Sequence, residues 1–337
     1  HPLSFGADSE RFFSAAAFAL PFVALAHEVY VLDPATVSLD VGNPSPNPFL
    51  MAIENFPQFF LWTIVAIVVI SAIFLISISR KVEKFFYPFL LAIKSYASTI
   101  ARITLGLSLI FSAYNGALFG PELPLSNFSS HQALFLQSAL FATGFLILIG
   151  FFTRASAAVA LALYAWLVSV FGAYMFTYFT YFGEILIVFI LGSGTWSLDS
   201  YRGATAFKRT PFRRFLDKLE PYSFAILRVC LGTAILYASW YAKFIHSSLA
   251  FDTVIRYHLT DYFPFPVLFV VLGALLIETL IGIFFIVGFE IRFASLFFIF
   301  FLGLSLLYFG EAVWPHLIVL GINLALFAHG YESYSLE

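Results

Sequence analysis

Arg102-Ile103-Thr104-Leu105-Gly106 opens one apolar stretch of this chain, and 126 positions later Arg228-Val229-Cys230-Leu231-Gly232 opens another. Downstream of each comes a Gly-Phe-x-x-Arg step between two further apolar stretches, Gly150 to Arg154 and then Gly288 to Arg292. A pattern written twice, with arginines at the ends of membrane-length runs, confines the chain to two tandem membrane units whose rare charges recur at fixed depths. Composition agrees: charged residues are 11% of the 337 positions and mean hydropathy is +0.94. A soluble domain carries roughly 25% charged residues, so this chain lacks the polar surface to face water. The net charge of -2 offers nothing for nucleic acid. Cys230 is the only cysteine, which excludes an internal disulfide, a C-x-x-C redox pair and a cysteine-ligated cluster or zinc held by this chain alone.

A helix that crosses a bilayer needs about 20 apolar residues. Suitable runs fall near 58–79, 97–119, 132–152, 155–176, 180–197, 222–246, 265–288, 292–310 and 313–330. The expected fold is an all-α polytopic membrane protein: two tandem, parallel-oriented four-helix bundles over 97–200 and 222–330, plus an extra N-terminal span. The span at 58–79 and a basic loop make up 58–96, a basic linker covers 201–221, and 331–337 is a tail. Fourteen of the seventeen lysines and arginines fall on one side of this arrangement, so that side is assigned to the cytoplasm. The C-terminus lies there as well, and residues 27–57 form an irregular outer segment rich in Pro, Asn and Asp. Residues 1–26 read either as a signal peptide or as a short anchor: Phe12 to Ala26 is a short apolar run ending in Ala24-Leu25-Ala26. Cleavage there would leave His27 as a new N-terminus, whose amine and imidazole suit copper.

The charges fall in two tiers. Arg102 and Arg228 either snorkel to headgroups or pair inward with carboxylates. A glycine four residues on, Gly106 or Gly232, sits on the arginine's own face and favours packing against protein. Glu278 lies about ten residues from its span's inner end, where an ionised carboxylate costs about 2.5–3.5 kcal/mol even on insertion scales. It is either a protonated group bonded to a neighbouring helix or a proton-carrying, ligand-binding carboxylate. An outer tier holds Glu184, Lys243, His246, Glu311 and His316, with Glu184 and His316 matched by repeat position. Histidine and carboxylate groups at this level suit hydrogen bonding to a quinone carbonyl and proton relay. No spacing marks a metal site, and none is assigned.

Taken together, these motifs resemble the DoxX/DoxD family of four-helix membrane proteins. The resemblance rests on the Arg-x-x-Leu-Gly starts, the Gly-x-x-x-Arg steps and the ending Gly192-Ser-Gly194-Thr-Trp-Ser197-Leu198-Asp199, with Lys243 and Glu278 matching a helix-one lysine and a helix-two glutamate. It covers roughly 97–330. The first half has Ala117 near the lysine position and no counterpart of Glu278, and the second half lacks the Ser-Leu-Asp ending. The halves therefore either share one composite site, or one is a degenerate scaffold. The resemblance implies an integral membrane subunit of a quinone-linked redox complex, with other subunits as partners and a bound quinone as cofactor. Glu278, Arg228 and Lys243 would then act on the ligand, with Arg102, Glu184, His316 and His246 helping to bind it. Two other classes suit the same residues: a non-catalytic scaffold or anchor, and a small-solute or ion transporter. Both units having the same orientation weakens transport, which often uses inverted repeats.

Overall fold

The computed structural model describes residues 31–79, 81–201 and 211–330. The segment at 1–26, His27, and the basic residues Arg80, Arg202, Lys208 and Arg209 lie outside the described residues. Among those described, no strand is present, and the chain is an all-α polytopic membrane protein.

Each expected apolar run is helical. After the short helices α1 (Pro34–Gly42) and α2 (Leu50–Glu54) comes α3 (Phe56–Ser79), then α4 (Lys81–Lys94). The first half consists of α5 (Ala97–Tyr114), α6 (Ser130–Ile149), α7 (Thr153–Phe171) and α8 (Phe179–Leu191). A linker carries α9 (Leu198–Tyr201) and α10 (Pro211–Leu219). The second half consists of α11 (Ser223–Trp240), a side helix α12 (Ser247–Arg256), then α13 (Val267–Val287), α14 (Ile291–Phe309) and α15 (Leu317–His329).

Seven described stretches are long and apolar enough to cross a bilayer, and two of them are composite: Thr153–Leu191 joins α7 and α8, and Phe212–Ile245 joins α10 and α11. A 3-10 turn at Gly172–Tyr178 folds α8 back along α7. The fourth helices differ from the expectation of full spans: α8 and α15 have 13 residues each, or about 20 Å at 1.5 Å per residue. Each is entered through a 3-10 turn, the second at Trp314–His316, and each packs among other helices. Other differences lie in the polar segments. The segment expected outside and the 246–261 loop contain α1 and α12, and the basic loop after α3 is largely the helix α4. Pro34 and the Asp33 side chain, which accepts the Thr36 N–H at 3.0 Å, explain the start of α1. Asp33 also pairs with Arg256, at the end of α12, at 3.3 Å.

Helix α3 stands at the edge of the second half, touching it through Trp62 against Phe265 and Phe74 against Phe289. The halves themselves interlock. Helix α5 packs more extensively on α15 of the other half than on its own α8, and α11 likewise favours α8 over α15. Glycines make this exchange possible. Gly183 of α8 lies against Cys230 of α11, where an added Cβ would come within 2.6 Å of the cysteine Cβ. Gly321 of α15 lies the same way against Thr104 of α5. One continuous apolar core results, holding Leu105, Leu109 and Ile185 of the first half with Leu227, Phe285 and Ile322 of the second.

Candidate functional site

The repeat arginines are helix caps. Arg102 donates to the carbonyls of Ile147, at 3.1 Å, and Leu148 at the end of α6, and to that of Trp196 at 2.9 Å. Arg228 does the same to Phe285, at 2.9 Å, and Ile286 at the end of α13. The last carbonyls of a helix have no partners within it and carry the negative end of its dipole, so a guanidinium there satisfies both. Arg154 likewise caps α8 through Phe189, Ile190 and Leu191, and Arg292 caps α15 through Phe327. Burial of Arg102 (1% exposed) and Arg228 (4%) rules out snorkelling to headgroups. Where carboxylates were expected, both guanidinium groups hold helix-end carbonyls. Gly106 and Gly232 let α6 and α13 approach closely enough for this: a Cβ on either would lie under 3.0 Å from Leu148 or from the Gly282 carbonyl.

The Ser-Leu-Asp ending also has a structural role. Asp199 accepts the Phe152 and Thr153 N–H groups at 3.0 Å and the Thr153 hydroxyl at 2.9 Å, capping the start of α7 from a distant part of the chain.

Lys243 and Glu278 meet. Lys243 Nζ lies 2.9 Å from Glu278 Oε2, with the lysine side chain 6% exposed and the glutamate 22%. A π-helical turn, Tyr241–Ile245, at the end of α11 directs Lys243 toward α13; such insertions occur frequently at functional sites. The pair lies at the molecule's apolar perimeter. Trp240 and Phe244 are partly exposed beside it, and the Trp240 indole N–H donates to Thr279 at 3.0 Å. Phe49 packs edge-on to Phe244 at 5.5 Å.

The other expected ligand groups stand elsewhere. Arg228 is 15 residues before Lys243, about 22 Å along the helix, so it cannot share a small ligand with the Lys243–Glu278 pair. His316 is engaged by Glu311 at 2.9 Å. His246 packs at a tilt against Tyr241 with ring centres 4.4 Å apart, and burial pushes its imidazole below the ordinary range. Among the described residues no three His, Cys, Asp or Glu side chains converge as metal ligands.

Glu184 departs most from expectation. It is fully buried in the seam between the halves, seven residues before the end of α8 and so about 10 Å deep from that end. There it accepts the Thr104 hydroxyl at 2.9 Å. The shared caps set the register of the fourth helices: Phe189 matches Phe327, both bound by the Gly-x-x-x-Arg arginine. By that register Glu184 matches Ile322, and His316 matches Tyr178. The expected pairing of Glu184 with His316 is therefore two turns out.

Sequence reading also passed over Glu122, in the loop between α5 and α6. Tyr174 donates to its carboxylate at 3.1 Å, and Tyr178 donates to it as well. Burial pushes this carboxyl up to about 8. The only sequence signal was Gly120, two residues earlier, whose missing Cβ leaves room for the carboxylate and the Tyr178 hydroxyl.

No family model matches this chain, and no curated protein or solved structure matches it either.

Proposed function

We propose that this multi-pass membrane protein is a subunit of a quinone-linked redox complex of the DoxX/DoxD type, with the ligand taken up at the Lys243–Glu278 pair. The observation that carries this reading is a buried cation bonded to a carboxylate that is itself partly open at the apolar perimeter. A ligand dissolved in the bilayer reaches such a group sideways, without entering water. The residues suit a quinone: an ammonium to donate to a carbonyl oxygen, a carboxylate to hold or yield a proton, and Trp240 and Phe244 to flank a ring. The quinone would supply two-electron carrier chemistry, and the electrons would come from a partner subunit. The excess of lysine and arginine at the capped ends supports placing those ends on the cytoplasmic side.

The test uses the Trp240 indole as reporter. A short-chain quinone titrated into the purified protein in nanodiscs should quench Trp240 fluorescence saturably, and Trp240→Phe should remove that component. Glu278→Gln and Lys243→Met should each weaken binding at least about tenfold, a loss of about 1.4 kcal/mol. Native affinity in both variants would reject the site.

A second reading is favoured by one observation: all four repeat arginines are used as helix caps. This suits a non-catalytic scaffold, in which the Lys243–Glu278 pair also only locks α11 to α13. That reading predicts lower stability in both variants and no saturable quenching in the native protein.

A further inference from the structure

Thr104, Ser108 and Ser112 recur every fourth residue along α5, so one face of that helix carries three hydroxyls at steps of about 6 Å. The facing helix α8 presents Glu184 and Tyr181, and Tyr178 precedes it. Thr104 binds Glu184, and the Tyr181 hydroxyl, which donates to the Phe119 carbonyl at 3.5 Å, faces Ser108 and Ser112 without completing a hydrogen bond to either. Tyr181 lies under Phe119, with ring centres 4.2 Å apart, and Tyr178 stands 6.1 Å from Tyr181 with its hydroxyl on Glu122. A line of ionisable and hydroxyl groups thus runs from a carboxyl deep in the membrane to a second carboxyl in the 115–129 loop. Ser108, Ser112, Tyr181 and Glu184 are all 0% exposed.

Two features set this line apart from ordinary core polarity. Among the described residues, Glu184 Oε2, Ser108 Oγ, Ser112 Oγ and Glu122 Oε2 are buried without hydrogen-bond partners. Each such group costs about 1–3 kcal/mol, and four of the twelve such atoms among the described residues fall on this one line. The second half supplies an internal control. At the positions matching Thr104, Ser108, Ser112, Tyr181 and Glu184 it has Cys230, Ala234, Ala238, Val319 and Ile322. The same helix seam therefore packs with small and apolar residues, and the polar line is an addition to the fold.

We propose that Glu184 is a protonatable site inside the membrane, loaded from the 115–129 loop through Glu122, Tyr178, Tyr181, Ser112 and Ser108. In each transfer Glu122 gives up a proton and Glu184 gains one. Every hydroxyl between them accepts one proton and passes on another, so the line returns to its starting composition once the hydroxyls rotate back. Glu184 meets the Thr104 hydroxyl from α5 and Tyr181 from its own helix, and α11 packs Cys230 against the adjacent Gly183. No basic side chain among the described residues pairs with Glu184. The neutral acid is the form such a place holds at least cost. The loop carboxyl, raised toward neutrality by burial, is suited to exchange with water. This proposal is independent of the Lys243–Glu278 reading, since the two sites share no residue.

Infrared difference spectroscopy of the full chain in nanodiscs tests it. A carboxylic acid C=O stretching band should be present near neutral pH, vanish in Glu184→Gln and shift on transfer to deuterated water. Tyr181→Phe should keep the band but slow its deuterium shift by about tenfold or more, and Ser108→Ala with Ser112→Ala should do likewise. If Glu184→Gln leaves the acid bands unchanged, the carboxyl is ionised and the proposal fails. It fails equally if the shift in Tyr181→Phe is as fast as in the native protein. Should Glu184→Gln not fold, Glu122→Gln decides the matter: unslowed exchange of the remaining band overturns the path.

Discussion

Replacing Arg102 with methionine removes a guanidinium that holds the carbonyls of Ile147, Leu148 and Trp196. Charged hydrogen bonds contribute about 1.5–3 kcal/mol each. Some of that sum offsets the cost of burying the cation, which methionine does not bear. What remains is the carbonyls of Leu148 and Trp196 in a site 1% exposed, each costing about 1–3 kcal/mol when left without a donor, while Ile147 keeps the Gly150 N–H at 3.0 Å. Because the groups share one cavity, the losses do not add fully, and the net expectation is about 3–5 kcal/mol. Arg102→Lys should recover only part of this, because one ammonium cannot span the end of α6 and the 195–196 turn together. Denaturation in mixed detergent micelles, with the circular dichroism midpoint compared across native, lysine and methionine forms, reads the difference. A methionine variant within about 1 kcal/mol of native would refute the capping argument and return the arginine to a headgroup role.

Asp199→Ala should cost about 1–2 kcal/mol, the range for a lost N-cap, with Asp199→Asn intermediate; an unchanged midpoint would show that the linker does not hold α7. Gly321→Ala should destabilise by about 1–3 kcal/mol through overpacking against Thr104. Gly303→Ala, which meets nothing within 4 Å, should be neutral or stabilising, and equal effects would deny the close seam. Glu122 is held up to about 8, above its usual 4.5, so the folded state binds its proton more tightly than the unfolded state does. Its contribution to stability is therefore complete below about 4.5 and is lost as pH rises to about 8. Glu122→Gln should flatten the decline in that window, and an identical slope in the variant would reject the assignment.

The sequence made the spans readable because membrane insertion demands runs of apolar residues, although it did not show that α8 and α15 stop at 13 residues each. It also made the arginine depth and the glycine face readable, since both follow from helical spacing. What the arginines bind was not readable: a backbone carbonyl leaves no mark in a sequence, whereas a carboxylate partner would. Glu184 was misplaced for a related reason. Its match to His316 assumed that the fourth helices begin in register, but the 3-10 turns at Gly172–Tyr178 and Trp314–His316 differ in length. The burial of Glu184 depends on exchange of helices between halves, and periodicity names a buried face without naming its neighbour. The Lys243–Glu278 contact was not readable either: Lys243 was placed in an outer tier and Glu278 near mid-span, and spacing alone does not show that a π-helical turn brings the lysine to α13.

The crossing of α8 and α15 onto the opposite half has a consequence for what the chain can carry. Had two identical four-helix chains paired in this way, every residue in the seam would appear twice, and a second carboxyl would stand where Ile322 now lies. Joining the copies on one polypeptide lifts that constraint. One side of the junction is free to keep a single acid group while its mirror position supplies inert filling, so asymmetry is gained without giving up a doubled frame.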